Sequence, residues 1–190
     1  MSFSRPRVSA LAAAGLAGVL VLALSACTPE PEPKPTPTAT ASAAPIFASD
    51  EEALAAAVEA YEAYERVSYE IAADGGNDAA RIATVTTSRY AAELEDEFAQ
   101  YTDAGIRAQG DVDLDSFELV KHRETADGVE ISIYVCRDVS GVRVLDANGK
   151  DVTPADRPDV TPLQAFLVSE ERQSELLVDR VDLWSGADFC

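Results

Sequence analysis

Gly128-Val129-Glu130-Ile131-Ser132-Ile133-Tyr134-Val135-Cys136 alternates without a break. Val129, Ile131, Ile133 and Val135 fall on one side of an extended chain. Glu130, Ser132, Tyr134 and Cys136 fall on the other. A period of two over nine residues is the pattern of a strand with one face in a core. Ala126-Asp127-Gly128 just before it is a turn signal, so Phe117 to Arg123 reads as the preceding strand of a hairpin. Downstream, Val142 to Leu145 and Asp151-Val152 flank Asn148-Gly149, a strong hairpin signal. Pro154 to Pro162 reads as an irregular connection. Leu163 to Val168 and Leu176 to Trp184 read as the last two strands, joined by a charged turn near Glu170 to Gln173.

Upstream of this region the period is helical. Ser49-Asp50-Glu51-Glu52 places a Ser N-cap three residues before a Glu, with acids at the positive end of the helix. Leu54, Ala57, Val58, Tyr61, Tyr64, Ser68 and Ile71 then form one stripe, and Gly75-Gly76 ends the helix near Ala73. The tyrosines at 61 and 64 are expected to pack in the core with their hydroxyls turned outward. Asn77 or Asp78 can cap a short helix carrying Ile82 and Val85. Thr86-Thr87-Ser88 opens another, with Tyr90, Leu94, Phe98 and Tyr101 on one face, and Asp103-Ala104-Gly105 stops it. Helices first and a meander of strands second predict an α+β domain. Its helices pack on one face of a mainly antiparallel sheet of four to six strands.

Ahead of this domain lie two segments of different composition. Arg5 and Arg7 precede about seventeen apolar residues, Val8 to Leu24, which has the form of an export signal. Its length is borderline for a bilayer core of roughly 30 Å, so a membrane-spanning helix is the competing reading. Thr28 to Pro45 carries proline at 29, 31, 33, 35 and 37 and has nothing to bury. It reads as an extended spacer with a reach of roughly 55 Å at about 3.1 Å per residue.

Leu24-Ser25-Ala26-Cys27, at the junction, resembles the lipobox of bacterial lipoproteins. The resemblance implies cleavage between Ala26 and Cys27, a diacylglyceryl thioether on Cys27 and acylation of the new amino terminus. Each methylene buried in lipid contributes about 0.8 kcal/mol, so two or three chains hold firmly. The organisation expected is therefore a signal peptide at 1–26, a lipidated cysteine and linker at 27–45, and one α+β domain at 46–190. The chain would sit on the extracytoplasmic face of the cell membrane.

Export also bears on the other two cysteines. Cys136 and Cys190 remain as a pair in an oxidising compartment and are expected to be disulfide-bonded, with two buried thiols as the alternative. Without the two arginines of the signal, thirteen basic residues face thirty-four acidic ones, a net charge of −21. That balance opposes binding to nucleic acid or anionic lipid and favours solubility.

Five short stretches of the domain carry a second resemblance. They are Val85-Thr86-Thr87, Cys136-Arg137-Asp138-Val139-Ser140, the run from Val144 to Lys150, Asp156-Arg157-Pro158 and the end from Trp184 to Cys190. Over most of Asp50 to Cys190 the chain resembles small actinobacterial lipoproteins with a nuclear-transport-factor-2-like domain. The resemblance implies a curved, cone-shaped sheet with the helices inside its curve. In enzymes of that superfamily, isomerases and dehydratases among them, an Asp or His in the pocket serves as general base.

The residues name no such base. His122, the only histidine, has charged neighbours in Val120-Lys121-His122-Arg123-Glu124 and is expected to be a solvated surface residue. Asp179 and Asp182 lie in the last strand, where one of them could face a cavity and exposed alternation explains both equally well. Asp111, Asp113 and Asp115 have the spacing of the first calcium-loop ligands. Ser116 stands where that loop needs glycine, and His122 where it needs a bidentate Glu, so an exposed strand edge fits equally. No phosphate loop, nucleophile elbow, paired-histidine motif or basic aromatic patch is present. The sequence thus assigns no catalytic residue, no metal and no cofactor. It supports a membrane-anchored, non-catalytic binding or protein-interaction module acting on an envelope protein or a small ligand. A small-molecule-binding or isomerase/dehydratase-type enzyme using the cone-shaped pocket is the alternative.

Overall fold

Arg107–Gln109, Asp113–Glu124, Gly128–Asp138, Arg143–Leu145, Val160–Glu170 and Leu177–Leu183 are the strands β1 to β6. Asp50–Ala73 and Ser88–Ala104 are the helices α1 and α2, with a 3-10 helix, Ala79–Thr84, between them. The computed structural model describes residues 44–170, 173–186 and 189–190. The main sheet is antiparallel throughout, in the order β2-β3-β5-β6, and β1 and β4 pair as a separate two-stranded sheet. This is the α+β class expected, and it is compatible with a nuclear-transport-factor-2-like domain.

The alternation in β3 sets the inner face of the sheet. Val129, Ile131, Ile133 and Val135 are buried and register with Ser169, Leu167, Ala165 and Leu163 of β5. Along α1, Ala53, Ala57, Tyr61, Tyr64 and Ile71 are buried in the same core, as are Tyr90, Leu94 and Phe98 of α2. The outer face of β3 is not left to solvent. The chain end folds back across it, with Trp184 and Phe189 at 4.6 and 5.0 Å from the Tyr134 ring. The expected Cys136–Cys190 disulfide fixes that end, closing a sequence separation of 54 residues.

The helix starts follow the capping signals. Ser49 Oγ accepts from the Glu52 amide at 3.3 Å, and Glu52 reaches back to the Ala48 amide at 2.7 Å. Thr87 caps α2 through the Tyr90 amide. Neither Asn77 nor Asp78 caps the intervening helix. Asp78 is left-handed with no side-chain cap bond, and the segment is a 3-10 helix held by buried Ile82. Amide bonds Thr87 to Val178 (3.0 Å) and Val178 to Val85 (3.0 Å) stitch the start of α2 to β6, so α2 is placed by the sheet as well as by its own apolar face.

Gly76 shows why the α1 stop is a glycine pair. Its φ is +83°, and a Cβ there would lie 2.2 Å from the Phe98 carbonyl oxygen of α2. Gly76→Ala is expected to cost about 2 kcal/mol, from left-handed strain plus overpacking, measured as a shift in the urea midpoint. An unchanged midpoint would mean that the two helices separate freely at this point.

Two expectations are met in part. The hairpin of Val142 to Leu145 with Asp151-Val152 forms, but it is short. The Asp146 to Gly149 turn forms, with the Asp146 carboxylate accepting the amides of Asn148 and Lys150. Past it the Val152 amide donates to the Val144 carbonyl at 2.8 Å and Leu145 bridges Asp151 antiparallel, and β4 also pairs with β1. The strand expected at Phe117 to Arg123 is longer, Asp113–Glu124, because register shifts at Asp115/Glu118 and Leu119/Lys121 break its alternation.

On the outer face, Glu130 of β3 meets Arg123 and Lys121 of β2 at 3.2 and 2.9 Å. The Arg123 hydrogen bonds, then Lys121, hold its carboxyl down to about 2. A folded value below the unfolded one gives a contribution that is complete above the unfolded carboxylate range. It is lost as pH falls toward 2. A carboxyl-detected NMR titration is expected to place the Glu130 midpoint near 2, and a value above 4 would remove the pair from the account.

Candidate functional site

Between α1, α2 and the inner face of the sheet lies a cavity of about 430 Å³. Its walls are apolar where Leu94, Phe98, Val139, Val142 and Leu163 face it. Its polar groups come from Glu65 and Ser68 of α1, Glu97 of α2, Arg137 of β3, Arg157 and the tyrosines at 64, 69, 90 and 101. The periodicity explains how they meet. Glu65 lies one turn beyond Tyr61 on the buried stripe of α1. Arg137 continues the inward phase of Val129, Ile131, Ile133 and Val135.

Glu65 is the group that burial makes most telling. Its side chain is 9 % exposed. Oε1 lies 2.8 Å from Arg137 Nε and accepts from the Tyr61 hydroxyl at 3.2 Å. Among the described residues, nothing hydrogen-bonds Oε2, and nothing hydrogen-bonds the buried Ser68 Oγ. Arg137 Nε and Arg157 Nε, buried on residues that line the same cavity, also lack a hydrogen-bond partner. A buried polar atom without a partner costs the full desolvation of that atom, so four of them around one cavity are unusual. Arg137 keeps about a third of its side chain exposed. Burial opposes its charge, and the Glu65 carboxylate outweighs that, so its pKa moves up. Glu65 also borders a second cleft of about 270 Å³, to which neither Ser68 nor Arg137 contributes.

Tyr61, Tyr64 and Tyr90 stay protonated. Burial, and then the neighbouring Glu65 carboxylate, push the Tyr61 hydroxyl up, and burial, and then Tyr90, do the same for Tyr64. Tyr90 is also raised, chiefly by burial. The hydroxyls of Tyr64 and Tyr90 are 3.3 Å apart, and Tyr69 donates to the Gly110 carbonyl at 2.5 Å. The hydroxyls of Tyr61 and Tyr64 therefore point inward to buried partners, contrary to the expectation that they would turn out to solvent. These groups are hydrogen-bond donors and apolar walls.

The residues singled out from the sequence lie elsewhere. His122 is not a solvated surface residue. Its side chain is 13 % exposed, packed 6.0 Å from Phe47, with Nδ1 at 2.9 Å from Asp50 Oδ1. Its neighbour Glu124 accepts from the Ile46 and Phe47 amides at 2.7 and 3.1 Å, so the two residues anchor the start of the domain. Asp179 accepts from Thr87 Oγ1 at 2.8 Å and pairs with Arg89, while Asp182 pairs with Arg180. Asp113 and Asp115 lie in the edge strand β2, with half-buried Leu114 between them. Cys136 and Cys190 are joined. Cys27 and the Ala26–Cys27 cleavage position lie outside the described residues. No described helix is long and apolar enough to cross a membrane.

Glu65 and Arg137 had no place among the candidates. The usable signal was a carboxylate and a guanidinium each in phase with a buried stripe, which is the mark of an ion pair in the core. No protein-family model matches the chain, and no curated protein matches it significantly.

Proposed function

We propose that this chain is a cell-envelope lipoprotein, anchored through lipid on Cys27, whose nuclear-transport-factor-2-like domain binds a small molecule without transforming it. The anchor rests on the Leu24-Ser25-Ala26-Cys27 lipobox after an apolar run and before a proline-rich spacer. The binding function rests on one observation. A cavity of about 430 Å³ has Glu65 Oε2 and Ser68 Oγ buried at its wall with no protein partner. A volume of that size suits a ligand of a few hundred daltons, and a few convergent polar groups in an apolar lining are what such sites use for orientation. This feature favours a small ligand over a purely protein-facing role. Glu65 Oε1 is already committed to Tyr61 and Arg137, which favours positioning of a ligand over proton transfer to it.

Two experiments test the two halves. Cys27→Ala is expected to leave an uncleaved precursor in the membrane fraction. Mature-sized protein in the medium would contradict the anchor. For the cavity, a broad fragment set titrated into the detergent-solubilised chain is expected to move the NMR signals of Tyr64, Tyr90 and Tyr101. A set that moves none of them would overturn the binding function.

A further inference from the structure

Resting on that binding function, we propose that the cavity selects an uncharged ligand with an apolar body and a head group that donates and accepts side by side, of the carboxamide or lactam type. The charges at the wall balance. Four charged side chains line the cavity among the described residues, Glu65 and Glu97 against Arg137 and Arg157. Glu65 and Arg137 neutralise each other at 2.8 Å. Arg157 is paired with Asp159 at 3.6 Å and donates through Nη2 to the carbonyls of Val139 and Val142 at 2.8 and 3.0 Å, which leaves its buried Nε without a hydrogen-bond partner. Glu97 is exposed on α2. A ligand carboxylate would enter beside Glu65, and a ligand ammonium beside Arg137, each without a free counter-charge to repay its desolvation.

The hydrogen-bonding capacity left over is complementary. Glu65 Oε2 can only accept from a ligand N–H or O–H. Arg137 Nε lies 2.8 Å from Glu65 Oε1 as an ion pair but makes no hydrogen bond, so this buried N–H can donate to a ligand carbonyl. Ser68 Oγ, itself unpartnered, can serve either way. Acceptor and donor sit on the two halves of one ion pair, so their spacing suits adjacent atoms of one head group. An amide presents N–H and C=O in that relation and carries no charge. Leu94, Phe98, Val142 and Leu163 then take the body.

Three probes of one shape separate the possibilities: 2-naphthamide, 2-naphthoate and 2-naphthylmethylammonium, each titrated by NMR into the detergent-solubilised chain. The amide is expected to bind at least about tenfold more tightly than either charged probe, with shifts at Tyr64, Tyr90 and Tyr101. Ser68→Ala, which leaves no partner stranded, is expected to weaken the amide several-fold while the thermal midpoint holds. Tighter binding of naphthoate or of the ammonium at the same tyrosines would overturn the head-group selection and leave the binding function standing. Binding of none of the three also overturns the selection, and the fragment set above then decides the cavity separately.

Discussion

The double substitution Cys136→Ala with Cys190→Ser is expected to lower the unfolding free energy by about 4 kcal/mol, from a closed loop of roughly 54 residues. For a domain of this size that is roughly a 10 °C fall in melting temperature. The reason lies in the placement of the bond as well as its loop. Cys136 is buried in β3, and Cys190 is the last residue described. Between them the bond holds Phe189 and Trp184 over Tyr134. Trp184 is the only tryptophan, so intrinsic fluorescence reports the tail directly. The variant is expected to show a red-shifted emission before the domain unfolds. An unchanged melt with unchanged emission would show that aromatic packing alone retains the tail.

Arg137→Met is expected to cost about 3 kcal/mol, because it leaves the Glu65 carboxylate buried with only Tyr61 as a partner. The figure is taken at the low end of the range for buried pairs, since a third of Arg137 is exposed and water screens it. The double variant Arg137→Met with Glu65→Leu is expected to recover most of that loss, because no buried charge remains. The recovery is the informative part. It separates the energetic worth of the pair from its use. A double variant as stable as the parent that no longer binds a cavity ligand would show that the pair is retained for recognition. Urea denaturation of the four proteins in the cycle measures both terms. A single variant as stable as the parent would contradict the burial assigned to Glu65.

How much of this could be read in advance depended on how local its cause was. The β3 alternation, the Ser49 and Thr87 caps and the Gly75-Gly76 stop act within a few residues, and each is where the sequence put it. The pairing of β4 with β1 was missed because it is made across the fold, whereas its short hairpin with Asp151-Val152 is local. The extent of β2 was lost because two register shifts, with Ser116 at φ +56°, scramble a period-two pattern. His122 was misjudged because its sequence neighbours are charged, while its packing comes from Phe47 and Asp50, over seventy residues away. Glu65 and Arg137 were overlooked for a related reason. A charged residue in an otherwise apolar phase looks like an interruption until the opposite charge is seen on the element it packs against. Searching for such matched interruptions, one on a helix stripe and one on a strand stripe, would have found the cavity wall.

Native mass spectrometry of the protein, extracted gently from the membrane of its own host, tests the central claim most directly. The mass expected is that of the chain from Cys27 onward with lipid on that cysteine, less two hydrogens for the disulfide. A retained neutral species of a few hundred daltons is expected in addition, lost when Arg137 and Glu65 are both replaced. A chain that carries lipid and nothing else, in wild type and double variant alike, would contradict a ligand-binding role for the cavity.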